Sequence, residues 1–213
     1  MKDISSLRKE YSHKLLDKDL VDKDPVKQFI HWFNEAVEAG VPEPNAMSLA
    51  SITADGRPSS RMVLLKGVEE DHFVFYTNLQ SQKGIEIDHQ PAVALNFFWA
   101  ELERQVRIEG IAKRVNADKA NAYFLSRPRD SQLGAWTSPQ STFIDSREIL
   151  ETRFKQMQER FKDVAQIPMP KQWGGFEISP LMIEFWQGRA SRLHDRIRYT
   201  LIEGSWQIHR LAP

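Results

Sequence analysis

The run Phe185-Trp186-Gln187-Gly188-Arg189-Ala190-Ser191-Arg192-Leu193-His194-Asp195-Arg196 holds more potential chemistry than any other stretch of the chain. If residues 192–198 form a strand, side chains alternate between its two faces. Arg192, His194, Arg196 and Arg198 then share one side, and Leu193, Asp195 and Ile197 take the other. So many cationic groups on one face repel each other and are costly to bury without a partner. A bound anion removes that cost, and a solvated basic edge strand avoids it. Taken alone, the run supports both readings equally.

Three further segments carry anion-binding residue types. Arg61-Met62-Val63-Leu64-Leu65-Lys66 has apolar residues on both parities, which predicts a strand covered on both faces with a cation at each end. Those ends are snorkelling side chains or ligand contacts. Their spacing puts the two heads on opposite faces of a regular strand, so one ligand serves both only if the strand bulges or the ligand wraps its end. Tyr76-Thr77-Asn78-Leu79-Gln80-Ser81-Gln82-Lys83 leads from a strand into a helix, where free backbone N–H groups beside Ser81 and Lys83 suit a phosphate or a plain capped turn. Residues 123–136 gather Tyr123, Arg127, Arg129 and Ser131 around a helix break. Those are the donors a phosphate monoester takes: arginine forks for charge-assisted bonds, hydroxyls for the remaining lone pairs.

Two other chemistries are set aside. Ser131, His194 and Asp195 are the types of a hydrolytic triad, but no Gly-x-Ser-x-Gly elbow accompanies them. The six histidines show no paired metal spacing, so no metal is expected. The chain has 213 residues, and its 29 basic side chains balance 29 acidic ones. That neutrality disfavours a nucleic-acid partner, whose electrostatic footprint is basic. With no cysteine, disulfides and thiolate chemistry are excluded. No apolar stretch near the N-terminus resembles a signal or membrane span, so a cytoplasmic protein is expected.

The elements that must position these residues follow from local pattern. Residues 1–24 read as a mobile arm, and 25–213 as a single domain. Asp24-Pro25 caps a helix that Gly40 closes. Strands are expected at 47–53, 59–66, 72–77, 92–99, 105–115 and 176–186, with a last hairpin at 196–202 and 206–211. Residues 54–57 turn between the first two strands, and Pro180 marks a bulge or edge in the sixth. Short helices are expected at 81–88 and 116–126, and a capping box at 145–148 opens an amphipathic helix to about Phe161. Antiparallel succession with inserted helices favours a β-barrel or sheet with flanking helices over a βαβ design.

Together these segments resemble the pyridoxamine 5′-phosphate oxidase family. The likeness is carried by 61–66, Phe75-Tyr76-Thr77-Asn78, Glu103-Arg104-Gln105-Val106, Ser126-Arg127-Pro128-Arg129-Asp130-Ser131-Gln132 and Trp173-Gly174-Gly175-Phe176. Glu184-Phe185-Trp186-Gln187-Gly188, Arg192-Leu193-His194-Asp195-Arg196 and the terminal Arg210-Leu211-Ala212-Pro213 complete it. The resemblance implies a mainly β fold, an antiparallel split β-barrel of the FMN-binding type with flanking helices. It implies a homodimer with two FMN sites at the interface. The implied activity is oxidation of pyridoxamine 5′-phosphate and pyridoxine 5′-phosphate to pyridoxal 5′-phosphate, with dioxygen as acceptor and hydrogen peroxide as product.

Carried over residue by residue, Arg61, Lys66, Tyr76, Thr77, Gln82, Lys83 and Gln105 are implied as flavin contacts from one subunit. Gln140, Ser141, Trp186 and Arg196 are implied from the other. Lys66, Tyr123, Arg127 and Ser131 resemble a clamp on the substrate phosphate. Arg192 and His194 resemble the catalytic pair over the pyridine ring, and Arg8 and Tyr11, in Leu7-Arg8-Lys9-Glu10-Tyr11, a lid. The family often has Arg-Lys where this chain has Gln82-Lys83, and a neutral amide does not supply the same charge. Two rivals remain at this stage: a split-barrel flavin reductase using a nicotinamide, and a carrier that binds without turnover.

Overall fold

The computed structural model describes residues 15–213. Helix α1 (Pro25–Glu38) starts as the sequence dictates: the Asp24 carboxylate accepts from the N–H groups of Val26 and Lys27, with Pro25 at the first helical position. Proline costs nothing there, because that N–H has no helical partner anyway. Strands β1 (Ala46–Ile52) and β2 (Pro58–Leu64) form the expected hairpin. Next come β3 (Gly67–Glu69), β4 (His72–Asn78), α2 (Gln82–His89), β5 (Ala92–Trp99) and β6 (Arg104–Arg114). After α3 (Ala117–Ser126), α4 (Arg129–Thr137) and α5 (Arg147–Arg160), the chain returns to the sheet as β7 (Trp173–Gln187), β8 (Asp195–Ile202) and β9 (Ser205–Leu211). Among the described residues no helix is long and apolar enough to cross a membrane.

The nine strands of the described residues join one antiparallel sheet in the order β2-β1-β5-β6-β7-β4-β3, and β8 and β9 branch from β7. Strand β7 is the pivot. It pairs with β6 over residues 176–187, with β4 over 173–178 and with β8 over 182–187. The sheet therefore splits at the middle of β7, and it curls into a half-barrel with flanking helices. At the split, the β6 partner steps from Gly110 opposite Pro180 to Glu109 opposite Met182, leaving Leu181 as the extra residue of a bulge. Proline is tolerated here because the bulge interrupts the β6 ladder and neither β4 nor β8 pairs with residues 179–181.

Two cores hold the halves. The first fills the barrel: Phe29 on α1 meets Phe73 edge-on at 4.9 Å and Phe97 at 5.0 Å, with Met47, Leu49, Val106, Ile108, Ile183 and Phe185 around them. The second lies under α3, α4 and α5 and joins Val74, Phe124, Leu133, Phe161, Ile167 and Trp173.

Several expectations need correcting. Residues 15–24 are tied down: Leu16 is buried in the first core, Arg210 donates to Asp17, and the Tyr199 hydroxyl donates to the Asp22 carbonyl at 2.7 Å. The break at Arg127-Pro128 opens directly into α4, with Pro128 in the cap position. At α5 the cap is Ser146, whose side chain caps no N–H, and no residue of the helix is buried. Its apolar side chains are too few for the expected amphipathic face; only Phe154 and Met157 reach the second core. Strand β2 is an edge strand with Met62 exposed, so both of its faces are not covered within the chain.

Candidate active site

A cavity of about 630 Å³ opens where the ends of β2 and β4, the start of α2, the α3–α4 corner and the first residue of β7 converge. Lys66, Lys83 and Arg127 line it, together with Tyr76, Thr77, Tyr123, Ser131, Gln140 and Trp173. No Asp or Glu of the described residues does. Three cations and several hydroxyl donors around one space, without a counter-charge, make a site for an anion.

Arg127 is the sharpest case. The Pro128 ring clashes with a helical backbone at Arg127, so α3 ends there with Arg127 extended and its side chain over the second core. Its guanidinium carbon lies 5.1 Å from the Trp173 ring centre and 5.8 Å from that of Phe124. Nη1 is buried and has no hydrogen-bond partner among the described residues. Burial accordingly pushes its pKa down from the usual arginine value, against a smaller opposing pull from Tyr123. A buried donor without an acceptor costs free energy that a phosphate oxygen would recover. Tyr123 stacks on Tyr76 with ring centres 4.0 Å apart, and Tyr76 stacks on Trp173 at 5.4 Å. Gly175 makes that possible, since a Cβ there would lie 2.6 Å from Cδ1 of Tyr76.

Lys83 occupies the first turn of α2, whose N-cap is Ser81. Its Nζ donates to Gln140 Oε1 at 3.0 Å and sits 3.4 Å from Thr77 Oγ1. Burial, then the nearby Arg61 charge, lower its pKa. Arg61 faces the other way. Its Nη2 donates to Glu86 at 2.8 Å, and Nη1 donates to Ser51 and to the Leu49 carbonyl. Glu86 is 5% exposed and also accepts from Ser51 and Gln82; burial pushes its pKa up, but these bonds and the Arg61 charge together hold it below the usual carboxylate range. Neither Arg61 nor Gln82 lines the cavity; Gln82 spends its amide on Glu86 and Ser59.

A second group lies on the sheet face turned away from the barrel core. Gln105, Trp186 and Arg196 stand opposite one another across β6, β7 and β8, and the His194 ring packs 4.7 Å from that of Trp186. The strand expected from Arg192 begins instead at Asp195, because Ser191 and Arg192 adopt left-handed φ values of 57° and 60°. Arg192 and His194 are thus not in register with Arg196 and Arg198. Those two arginines already have an anion: Glu184, 1% exposed, accepts from Arg196 Nε at 2.9 Å and Arg198 Nη2 at 3.2 Å. A buried glutamate on the neighbouring strand resolves the repulsion that the local pattern poses.

The expected residues therefore fall into two groups. Lys66, Tyr76, Thr77, Lys83, Tyr123, Arg127, Ser131 and Gln140 meet at the cavity. Gln105, Trp186, Arg192, His194 and Arg196 do not line it, and Ser141 is exposed in the turn after α4. Within one chain Gln140 reaches Lys83 and Thr77, and Gln105 stands with Trp186 and Arg196. Arg8 and Tyr11 lie outside the described residues. Sequence reasoning missed Trp173, Glu86 and Glu184 as site-building residues, since their partners lie 46, 25 and 12 positions away and only the fold brings them together.

Comparison with known proteins places this geometry. Residues 33–161 match the family model described as pyridoxamine 5′-phosphate oxidase, and residues 173–213 match one described as the pyridoxine 5′-phosphate oxidase C-terminal dimerisation region. A pyridoxine/pyridoxamine 5′-phosphate oxidase of Chromobacterium violaceum is 55% identical over 211 residues, covering 99% of this chain and 98% of the relative. The relative of the same name from Trichormus variabilis is 52% identical over the same shares of both chains. Among solved structures, PhzG from Burkholderia lata, in complex with tetrahydrophenazine-1-carboxylic acid, superposes with a TM-score of 0.90 at 27% identity, covering 96% of this chain and all of that one. An FMN-binding protein of Nostoc punctiforme, related to pyridoxamine 5′-phosphate oxidase, shares the fold with a TM-score of 0.71 at 16% identity, over 91% of this chain and all of that one. With a cation-lined cavity at the mouth of a split barrel and identity of this extent over its whole length, the chain belongs to the pyridoxamine 5′-phosphate oxidase family.

Proposed function

We propose that the chain oxidises pyridoxamine 5′-phosphate and pyridoxine 5′-phosphate to pyridoxal 5′-phosphate as an FMN-containing homodimer, with dioxygen as acceptor and hydrogen peroxide as product. The observation that carries this reading is the cavity in which, among the described residues, no carboxylate is present and Arg127 Nη1 is buried without a partner. Two phosphate-bearing molecules need two donor sets, and the cavity carries both. Arg127, Tyr123 and Ser131 suit the substrate phosphate. Lys83 and the Ser81-capped start of α2 suit that of FMN, and Lys66 adds a third cation.

FMN, when bound, supplies the hydride acceptor and the route of the electrons to dioxygen. The chain's own contribution is orientation and charge. Clamping the phosphate fixes the C4′ carbon of the substrate, chiefly a proximity effect. Arg192 and His194 act from above the pyridine ring, the arginine by its charge and the histidine as a hydrogen-bond donor. Because these two, with Trp186 and Arg196, do not line the cavity of their own chain, a second copy brings them. The match of residues 173–213 to a dimerisation region supports that arrangement.

The test is spectroscopic. Purified protein should be yellow, and anaerobic pyridoxamine 5′-phosphate should bleach the flavin band, with air restoring it and releasing one peroxide per aldehyde. Bleaching by NADH but not by the amine would assign a flavin reductase instead. Tight binding of pyridoxal 5′-phosphate without any peroxide would assign a carrier.

A further inference from the structure

Among the described residues no carboxylate holds the Arg127 cation in place. Its company is aromatic, and one ring is common to every member of that company. Trp173 is 7% exposed, and its ring lies 5.1 Å from the Arg127 guanidinium. It is parallel to Tyr76 within 3° at 5.4 Å and to Tyr123 within 12° at 6.0 Å, and it meets Phe124 edge-on at 5.2 Å. The ring is itself fixed from the backbone: residue 173 opens β7 opposite Asn78, and its N–H donates to the Pro170 carbonyl at 2.9 Å. A guanidinium over an indole face is drawn to the ring's negative face, more strongly where water is excluded. An arginine paired to a carboxylate would be equally fixed, but its charge would be spent before a phosphate arrived.

We infer that Trp173 is a positioning residue that aims Arg127 and Tyr123 at the substrate phosphate, holding the guanidinium in place without neutralising it. The inference rests on the proposed phosphate clamp. It goes beyond the clamp in assigning its precision to an aromatic residue of the cavity wall that is not itself a donor to the phosphate.

The test compares binding of pyridoxal 5′-phosphate and of unphosphorylated pyridoxal to FMN-loaded protein by equilibrium titration. Trp173→Phe keeps a ring and the fold but weakens the cation–π contact. It should reduce affinity for the phosphorylated ligand about three- to tenfold while leaving pyridoxal within about twofold. In turnover, the same variant should raise KM for pyridoxamine 5′-phosphate with kcat nearly unchanged. Trp173→Leu should lose more of the phosphate preference, and circular dichroism and flavin content decide whether that variant is folded. Equal loss for both ligands, or no loss for either, in folded Trp173→Phe overturns the inference. Arg127→Ala separates this from the parent reading. If Arg127→Ala abolishes the phosphate preference and Trp173→Phe does not, the positioning role alone fails. If Arg127→Ala also leaves the preference intact, the clamp itself is misplaced.

Discussion

The backbone N–H of Arg189 donates to Nδ1 of His194 across 3.1 Å. A ring nitrogen that accepts carries no proton, so the neutral imidazole holds its proton on Nε2. Burial, and then the Arg192 charge, lower the pKa from its ordinary 6.5. His194 is therefore a neutral donor at physiological pH.

That assignment sets a pH dependence. The folded-state pKa lies below the unfolded one, so His194 costs no stability above pH 6.5, and stability declines as pH falls below it. Protonating Nδ1 also breaks the Arg189 bond. kcat/KM should be flat above neutrality and fall on the acid side with a midpoint under 6.5. Nitrogen-15 NMR should find the proton on Nε2; a proton on Nδ1, or a midpoint above 6.5, contradicts the assignment.

Arg127→Met should separate stability from function. It removes a desolvated cation whose Nη1 lacks a partner and keeps an unbranched side chain over Trp173. Ligand-free protein should be as stable as the parent or more so by about 1 kcal/mol in denaturant titration. kcat/KM for the phosphorylated substrate should fall roughly 10- to 150-fold, the value of one charged hydrogen bond of about 1.5–3 kcal/mol. Flavin content should not change.

Arg61→Ala should behave in the opposite way. It strands Glu86, which is buried and bonded to Arg61 at 2.8 Å. Loss of about 3 kcal/mol of stability is expected at pH 7, the low end for breaking a buried pair, because Arg61 is partly solvated. Glu86 has a depressed pKa, so its contribution is present above the ordinary carboxylate value and is lost as pH falls through the folded one. Adding Glu86→Gln to Arg61→Ala should recover part of the stability at pH 7. A double variant no more stable than the single would show that the stranded charge is not what destabilises it.

Glu184→Ala removes the anion shared by Arg196 and Arg198 and near Arg107. A loss of about 3 kcal/mol is again expected, reduced from the full buried-pair figure because all three arginines reach water. Raising salt from 0.05 to 0.5 M should narrow the gap to the parent, since screening eases the repulsion left among the cations. A gap that does not respond to salt would assign the loss to packing.

Much of the fold is legible locally. Asp24-Pro25, Ala54-Asp55-Gly56-Arg57 and the alternation in β5 each mark their element within a residue or two. The failures have a common physical form. Pro128 reads as a breaker because proline ends α3, yet it also suits the cap of α4, and only the packing of Leu133 into the second core decides that the chain turns helical again. The cations at 192–198 read as an unanswered charge because Glu184 reaches them through strand pairing, not sequence proximity. The cavity residues were legible by type; their grouping was not, since Gln140 meets Lys83 across 57 positions.

The branching of the sheet at β7 also bears on how the chain is made. Residues 173–178 close the wall that carries Tyr76, nearly a hundred positions earlier, and 182–187 seat the β8–β9 hairpin. Pairings of such sequence separation are slow to form, because loop closure precedes any gain from contact. On the ribosome, the barrel half built from α1 to β6 emerges first, with the long edges of β4 and β6 still bare. These edges are templates for wrong partners until β7 arrives. The strand that completes the anion cavity is thus the same one that protects the nascent sheet from aggregation.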